Sequence, residues 1–184
     1  MKHLLKTILA FALATHFFSC SGNGNTKTEK EGAEKDSSGS EQATEGMATS
    51  PVLKNNNLNA VYQHYIHLTT ALTNKNMAEA KIAANAIEAG ARKTEGAGNI
   101  ASYAARITVA PDIESQRVAY ALLSTDLAEL IKKEGLTKGE LYVDYCPMAL
   151  NDKGAYWISN QKEIRNPYFG DEMMTCGEIK ETIK

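Results

Sequence analysis

The sequence lacks the features that mark several large classes of protein. After its first twenty residues, no stretch of the 184-residue chain is apolar enough to cross a bilayer, so nothing indicates an integral membrane protein. There is no cluster of Lys and Arg, and a chain with 22 acidic and 20 basic residues is a poor nucleic-acid binder. Outside the N-terminal segment the only histidines are His64 and His67, which we expect to face solvent. No serine or cysteine motif of a hydrolase accompanies them, and we expect no enzyme.

The N-terminal segment predicts export. Lys2 and Lys6 form a basic region, an apolar stretch follows, and Ser19 precedes Cys20. This order is typical of a bacterial signal peptide over residues 1–19 that ends at a lipidated cysteine. An ordinary secretory signal with an unrelated cysteine is the alternative. Both interpretations place the protein in the cell envelope, and the first makes it a periplasm-facing lipoprotein anchored in the outer membrane.

Residues 20–56 predict a lipidated cysteine followed by a flexible linker. This segment is rich in Ser, Gly, Thr, Glu and Lys and has almost no large apolar side chain, so it cannot bury a core. Loss of the signal peptide with its two lysines leaves 18 basic and 22 acidic residues, a net charge of −4. The remaining residues, 57–184, have the length of one domain.

Residues 57–184 predict a mainly α domain, a small bundle of three or four helices with a C-terminal cap. Asn57 is a candidate cap of the first helix and Asn76 of an Ala-rich second helix, and a short helix with frayed ends follows. Asp112 begins the clearest helix, and Gly135 ends it. The predicted buried residues are Leu58, Val61, Tyr65, Leu68 and Leu72 in the first helix and Tyr120, Leu123, Leu127, Leu130 and Ile131 in the last.

The pattern changes after Gly139. Two β-prone segments on either side of a turn predict a hairpin, and a segment with a proline and two glycines predicts an ordered loop. Residues 178–184 fit either a short helix or a strand. We expect Arg117 and Ser124, at the edge of the long helix, to donate hydrogen bonds to carbonyls of this loop. Four acidic residues of the region are interpreted as charged turn residues; they are Asp144, Asp152, Asp171 and Glu172.

Sulfur is concentrated in the C-terminal third. Met148 follows Cys146 by two residues, and Met173 and Met174 precede Cys176. Two cysteines in an oxidising compartment ordinarily form a disulfide, which here would close a loop of about thirty residues and contribute on the order of 3 kcal/mol. Thiolate and thioether sulfurs are also soft ligands that favour Cu(I) or Ag(I), whereas zinc does not use thioethers. Both interpretations stay open at this point.

Four short motifs in this third carry a resemblance. They are Cys-Pro-Met-Ala at 146–149, Gly-Ala-Tyr-Trp-Ile-Ser at 154–159, Asn-Pro-Tyr-Phe-Gly at 166–170 and Met-Met-Thr-Cys-Gly at 173–177. From about residue 57 to the end, the chain resembles a bacterial domain family of unknown function found in exported proteins and lipoproteins. That domain also occurs fused to periplasmic adaptors of copper/silver efflux pumps, so the resemblance implies a link to heavy-metal resistance. The Cys-Pro-Met element is similar to heavy-metal-binding modules that continue into His, where this chain has Ala149.

The residues and the resemblance together give two functional hypotheses. In the first, an envelope lipoprotein binds Cu(I) or a similar soft metal as a buffer or carrier linked to efflux, with an efflux adaptor as partner. In the second, a disulfide stabilises a non-catalytic interaction module that docks on an efflux adaptor through an aromatic cap. The membrane is contacted through the lipid on Cys20, and no nucleic acid is expected. The metal ligands of the first hypothesis are Cys146, Met148, Met173, Met174 and Cys176.

Overall fold

The computed structural model describes residues 50–184, and the predicted signal peptide, Cys20 and most of the linker lie outside this range. Its four long helices are α1 (Asn56–Thr73), α2 (Met77–Ala91), α3 (Gly98–Val109) and α4 (Ile113–Glu134). Each helix packs on the next, and α1 also contacts α4. The described residues therefore form a helical bundle, as the sequence predicts. No helix in this range is long and apolar enough to span a membrane.

The helices begin where polar side chains satisfy their first backbone amides. Asn76 and Asp112 cap α2 and α4, which confirms both predictions. The predicted cap of α1 is wrong, because the helix begins earlier. The side-chain oxygen of Asn55 accepts from the amides of Asn57 and Leu58 at 3.0 and 3.1 Å. A cap oxygen reaches amides two or three residues ahead, and Asn55 is extended while the next residues are helical, so Asn55 takes this position.

Within residues 50–184, five strands form two small sheets. The first sheet pairs β1 (Val52–Leu53) with β2 (Leu136–Lys138). The second is antiparallel, with β3 (Leu141–Cys146) between β4 (Ala155–Ser159) and β5 (Glu178–Ile183). The β3–β4 pair is the predicted hairpin, and residues 178–183 prove to be a strand. The first sheet was not predicted, and it includes residues that the sequence analysis assigned to the linker; Leu53 is only 1% exposed.

The core confirms both predicted helix stripes, since all ten of their residues are buried. Tyr65 of α1 connects the bundle to the larger sheet. Its hydroxyl lies 2.9 Å from the Tyr120 hydroxyl and 2.8 Å from Ser124 Oγ, both on α4, and it accepts from the amide of Ile158 on β4 at 2.9 Å. Ser124 therefore bonds a helix side chain and not the loop, which corrects that prediction. Arg117 behaves as predicted, because its Nε donates to the loop carbonyl of Pro167 at 3.0 Å.

Candidate sulfur site

The two cysteines meet although thirty positions separate them. Cys146 ends the central strand β3 and is fully buried, while Cys176 lies just before β5 and is partly exposed. The antiparallel pairing places Tyr145 of β3 opposite Glu178 of β5, which carries Cys176 across to the end of β3. The two Sγ atoms lie 2.9 Å apart. The pairing of β5 with β3 thus creates the site.

Contact with Cys146 makes the Cys176 thiol less acidic. The hydrogen bond with Cys146 is the main reason that the pKa of Cys176 rises to about 11, with burial as the second cause. A thiol in this state is a weak nucleophile, since the thiolate is the reactive form. It must also lose its proton before it can bind a metal ion. Cys176 is therefore a protonated thiol at neutral pH when it is reduced and free of metal.

Asn166 holds the turn that carries Cys176. Its backbone amide donates to the carbonyl of Met174 at 2.8 Å, and its Nδ2 donates to the carbonyl of Cys176 at 2.7 Å. Its Oδ1 accepts from the amide of Tyr168 at 2.8 Å, so both ends of the buried amide side chain are satisfied. Asn166 belongs to the Asn-Pro-Tyr-Phe-Gly motif of the sequence, but no role was predicted for it. An asparagine before Pro-Tyr-Phe was the signal that could have found it.

Gly177 allows this turn to pack closely on the sheet. Its φ of +140° lies in a region that favours glycine, and a Cβ at this position would lie 2.8 Å from Cη2 of Trp157. Trp157 is 1% exposed, so it is enclosed beneath the turn. The Cys-Gly pair of the motif therefore has a packing explanation. The glycine lets the backbone next to Cys176 approach the buried indole.

The three methionines are all more exposed than Cys146. Met148 is 45% exposed and lines a surface groove with Val118 and Phe169, on the outer side of α4. Met173 and Met174 are half-buried in the turn before Cys176. Within residues 50–184, no group of three or more His, Cys, Asp and Glu side chains is placed to hold a metal ion. A metal bound by the cysteine pair would therefore take further ligands from methionine or solvent.

The interpretation of Asp144 as a turn residue is wrong. It lies inside β3, is fully buried, and its carboxylate has no hydrogen-bond partner in the part of the chain that the structure describes. Burial raises its pKa to about 7. Side chains alternate along a strand, so Asp144 and Cys146 share one face of β3. The other three acidic residues interpreted as turn residues are exposed, as are the two helix histidines.

Comparison with known proteins finds a family match for the helical part of the chain. Residues 61–139 match the model of a family described as a protein of unknown function, DUF3347. The match runs from the first turns of α1 to the residue before Glu140, so it ends ahead of β3 and does not include the sulfur site. No curated protein matches the chain. No solved structure matches it either.

Proposed function

We propose that this domain binds Cu(I), or a similar soft cation such as Ag(I), through the reduced pair Cys146 and Cys176. The observation that carries the proposal is the 2.9 Å contact between the two sulfur atoms. Polarisable thiolate ligands select monovalent coinage metals over hard cations. The pair is also the only thiol pair in the sequence outside the predicted lipidated cysteine.

Metal entry requires a small opening of the pair. With metal–sulfur bonds of about 2.3 Å, two ligand sulfurs stand roughly 4 Å apart. One sulfur therefore moves by about 1 Å. Cys146 is fixed in a central strand, whereas Cys176 lies in a turn between the short 3₁₀ helix Gly170–Glu172 and β5. Cys176 is therefore the residue that moves, and its partial exposure gives the ion a path from solvent.

Methionine sulfur completes the proposed shell. Met173 and Met174 belong to the same turn as Cys176, and the amide of Cys176 donates to the carbonyl of Met173 at 3.1 Å. Met148 is two residues from Cys146, and its 45% exposure leaves its thioether free to reorient. A ligand shell with one partly exposed thiolate and with thioethers near the surface permits exchange with another protein. This suits a buffer or carrier better than a permanent metal site.

The cellular setting of the proposal comes from the sequence. The export signal, the lipidated Cys20 and the linker would hold the domain at the outer membrane, facing the periplasm. The resemblance of the C-terminal motifs to domains fused to copper/silver efflux adaptors supports delivery of the ion to such an adaptor. No catalytic step belongs to this function.

Titration with Cu(I) tests the proposal directly. Reduced protein lacking the signal peptide competes anaerobically with a chromogenic Cu(I) chelator, and we expect one ion per chain. Cys146→Ser and Cys176→Ser should each abolish competition. Met148→Leu, Met173→Leu and Met174→Leu should each weaken binding severalfold. The matched control is Met77→Leu, since Met77 is the first residue of α2 and carries no proposed role.

Three results would contradict the ligand assignment. One is wild-type affinity in both serine variants, because the metal would then be held elsewhere. Another is an equal loss in Met77→Leu and in the three C-terminal methionine variants, since the effect would then not be specific to the site. Competition by wild-type protein that persists after both thiols are alkylated leads to the same conclusion.

A second function is favoured by the same distance. A contact of 2.9 Å is within about 1 Å of the 2.05 Å disulfide length, so oxidation needs little movement. The oxidised domain would be a disulfide-stabilised interaction module for an efflux adaptor. The aromatic cap consists of six residues, Tyr142, Tyr145, Tyr156, Trp157, Tyr168 and Phe169. It is a poor docking surface, because it is largely internal and only Tyr156 is as much as 41% exposed. Apolar side chains are more accessible elsewhere: Val118 and Met148 line one groove, and Leu122, one helical turn from Val118, is also exposed.

Intact mass separates the two functions. Protein exported in a bacterial host is denatured and alkylated without a reductant. Two alkyl groups indicate the free dithiol that metal binding requires, and an unmodified mass two hydrogens lighter indicates the bridge. A fully bridged protein that also fails to bind Cu(I) after reduction would leave the interaction module as the better account.

A further inference from the structure

The backbone of Cys176 is tied to the rest of the fold by few bonds. Its amide donates to Met173, a contact within the same turn, and its carbonyl accepts from Asn166 Nδ2 at 2.7 Å. Regular strand pairing begins only at Glu178. Of these contacts, the one with Asn166 connects the Cys176 backbone to a separate segment of the loop.

Asn166 is itself firmly placed. The next residue, Pro167, accepts from Arg117 Nε of α4 at 3.0 Å, and the carbonyl of Asn166 accepts from the amide of Gly170 at 3.0 Å. The ring of Tyr168 packs against Tyr120 of α4 with centroids 5.6 Å apart. Asn166 therefore transmits the position of α4 to the turn that carries Cys176.

We propose that Asn166 is the positioning residue of the sulfur site, holding Cys176 Sγ against Cys146 Sγ. For metal binding the inference rests on the proposed function, whereas for disulfide formation it does not. Two thiols kept in contact have a high effective concentration, so their disulfide forms readily and resists reduction. Without the 2.7 Å bond the turn samples more positions and the sulfurs meet less often.

Redox titration measures the midpoint potential of the cysteine pair. A merely structural role of Asn166 would leave this potential unchanged. In a dithiothreitol buffer the two protein thiols give two electrons and two protons to the cyclic disulfide of oxidised dithiothreitol. The Sγ–Sγ bond forms and the reagent becomes a dithiol. We expect Asn166→Ala to lower the equilibrium constant for this step about tenfold, which makes the midpoint potential about 30 mV less negative. Asn166→Asp keeps the acceptor for Tyr168 but loses the donor, so it should show a similar shift.

The control is Asn55→Ala. The side chain of Asn55 also orders a chain segment, because it accepts two hydrogen bonds from backbone amides at 3.0 and 3.1 Å. It caps α1, however, and lies far from the cysteines in sequence. It should lower the midpoint of thermal unfolding without moving the redox midpoint. Near-ultraviolet circular dichroism selects the variants that remain folded at the titration temperature. If Asn166→Asp is folded and has the wild-type redox midpoint, the proposal is overturned.

Cu(I) competition on the same variants separates this inference from the proposed function. If Asn166→Asp shifts the redox midpoint and also weakens Cu(I) binding severalfold, both are supported. If the redox midpoint shifts but wild-type protein does not compete for Cu(I), the metal function fails and the positioning role stands. If wild-type protein binds Cu(I) and Asn166→Asp changes neither quantity, the metal function stands and the positioning role fails.

Discussion

Asp144 and Cys146 lie two residues apart on the same face of β3, and both side chains are fully buried. The thiol has a sulfur partner at 2.9 Å, but the carboxylate has no hydrogen-bond partner among residues 50–184. A buried carboxylate without a partner disfavours its own ionisation, which explains why the pKa of Asp144 rises to about 7. The consequence is a folding free energy that depends on pH.

Stability should fall as pH rises through the neutral range. The folded-state pKa of Asp144 lies above the unfolded value, so the folded state binds more protons between about pH 4 and 7. The stabilisation that results from this difference in proton binding is fully present below pH 4. It is lost as the pH rises and the carboxyl of the folded state ionises. Between pH 5 and 8 the loss should be on the order of 2 kcal/mol. Urea unfolding at both pH values should show this loss in wild type and not in Asp144→Asn.

The exposed Asp152 provides the matched control for this experiment. Asp152→Asn should keep the wild-type dependence of the unfolding free energy on pH, because its carboxylate is hydrated in both states. An Asp144→Asn variant with the same pH dependence as wild type would show that Asp144 is already solvated or paired in solution.

The helices could be predicted from sequence because their signals are local. Apolar spacing identified the buried residues of α1 and α4, and Asn76 and Asp112 identified two helix starts. Where three asparagines followed one another, at 55–57, the choice of cap depended on where the preceding strand ended. That strand pairs with β2, more than eighty residues away, and sequence spacing carries no signal for such pairing.

The sulfur site could also be predicted only in part, because it too depends on pairing between distant segments. The residue types near Cys146 and Cys176 predicted soft-ligand or disulfide chemistry, but their contact depends on β5, whose sequence fitted a helix or a strand equally well. Asp144 was interpreted as a charged turn residue with three others, whereas it lies inside the central strand, where a fully buried acidic side chain is rare. The two-residue spacing of Asp144 and Cys146 predicts a buried carboxylate only when that face of the strand is known to be covered by other elements.

Removal of one cysteine should make the other more reactive. The contact with Cys146 is the first cause of the pKa of about 11 at Cys176, so Cys146→Ala should lower this pKa. The thiolate fraction at pH 8 then rises, and alkylation of Cys176 by iodoacetamide should be faster by about tenfold or more. Mass spectrometry of quenched, reduced samples gives the rates.

Cys146→Ser is the matched variant for this comparison. Its hydroxyl keeps a hydrogen-bonding group next to Cys176, so the rate should lie between those of wild type and Cys146→Ala. If all three proteins react at one rate, the two thiols are not in contact in solution. The 2.9 Å relationship would then be wrong for the reduced protein.

Two glycines should respond oppositely to the same substitution. Gly177→Ala places a methyl group 2.8 Å from Trp157 at a φ of +140°, and we expect a loss of at least about 2 kcal/mol of unfolding free energy. Gly98 begins α3, and a Cβ there would meet no atom within 4 Å. Gly98→Ala should be neutral or stabilise by up to about 1 kcal/mol. Denaturant unfolding measures both, and equal effects would contradict the close packing of Gly177 on the indole.

Two buried tyrosines of α1 should also differ. The Tyr65 hydroxyl bonds both Tyr120 and Ser124 and accepts from the amide of Ile158, whereas the buried Tyr62 hydroxyl has no partner within the described residues. Tyr65→Phe leaves a strand amide unsatisfied and should cost about 2–3 kcal/mol. Tyr62→Phe removes only an unpaired polar atom and should be neutral or slightly stabilising.

Calorimetric or denaturant unfolding of both phenylalanine variants tests this contrast. The two changes remove the same atom from the same helix at nearly equal burial, so differences in ring packing and in apolar area largely cancel. A difference in unfolding free energy therefore reports the bonds that join α1 to α4 and to β4. If the two variants lose equal stability, the Tyr65 hydroxyl does not connect the bundle to the sheet. The sheet that presents Cys146 would then be held against the helices by apolar contacts and by the exposed ion pair of Lys132 with Glu181.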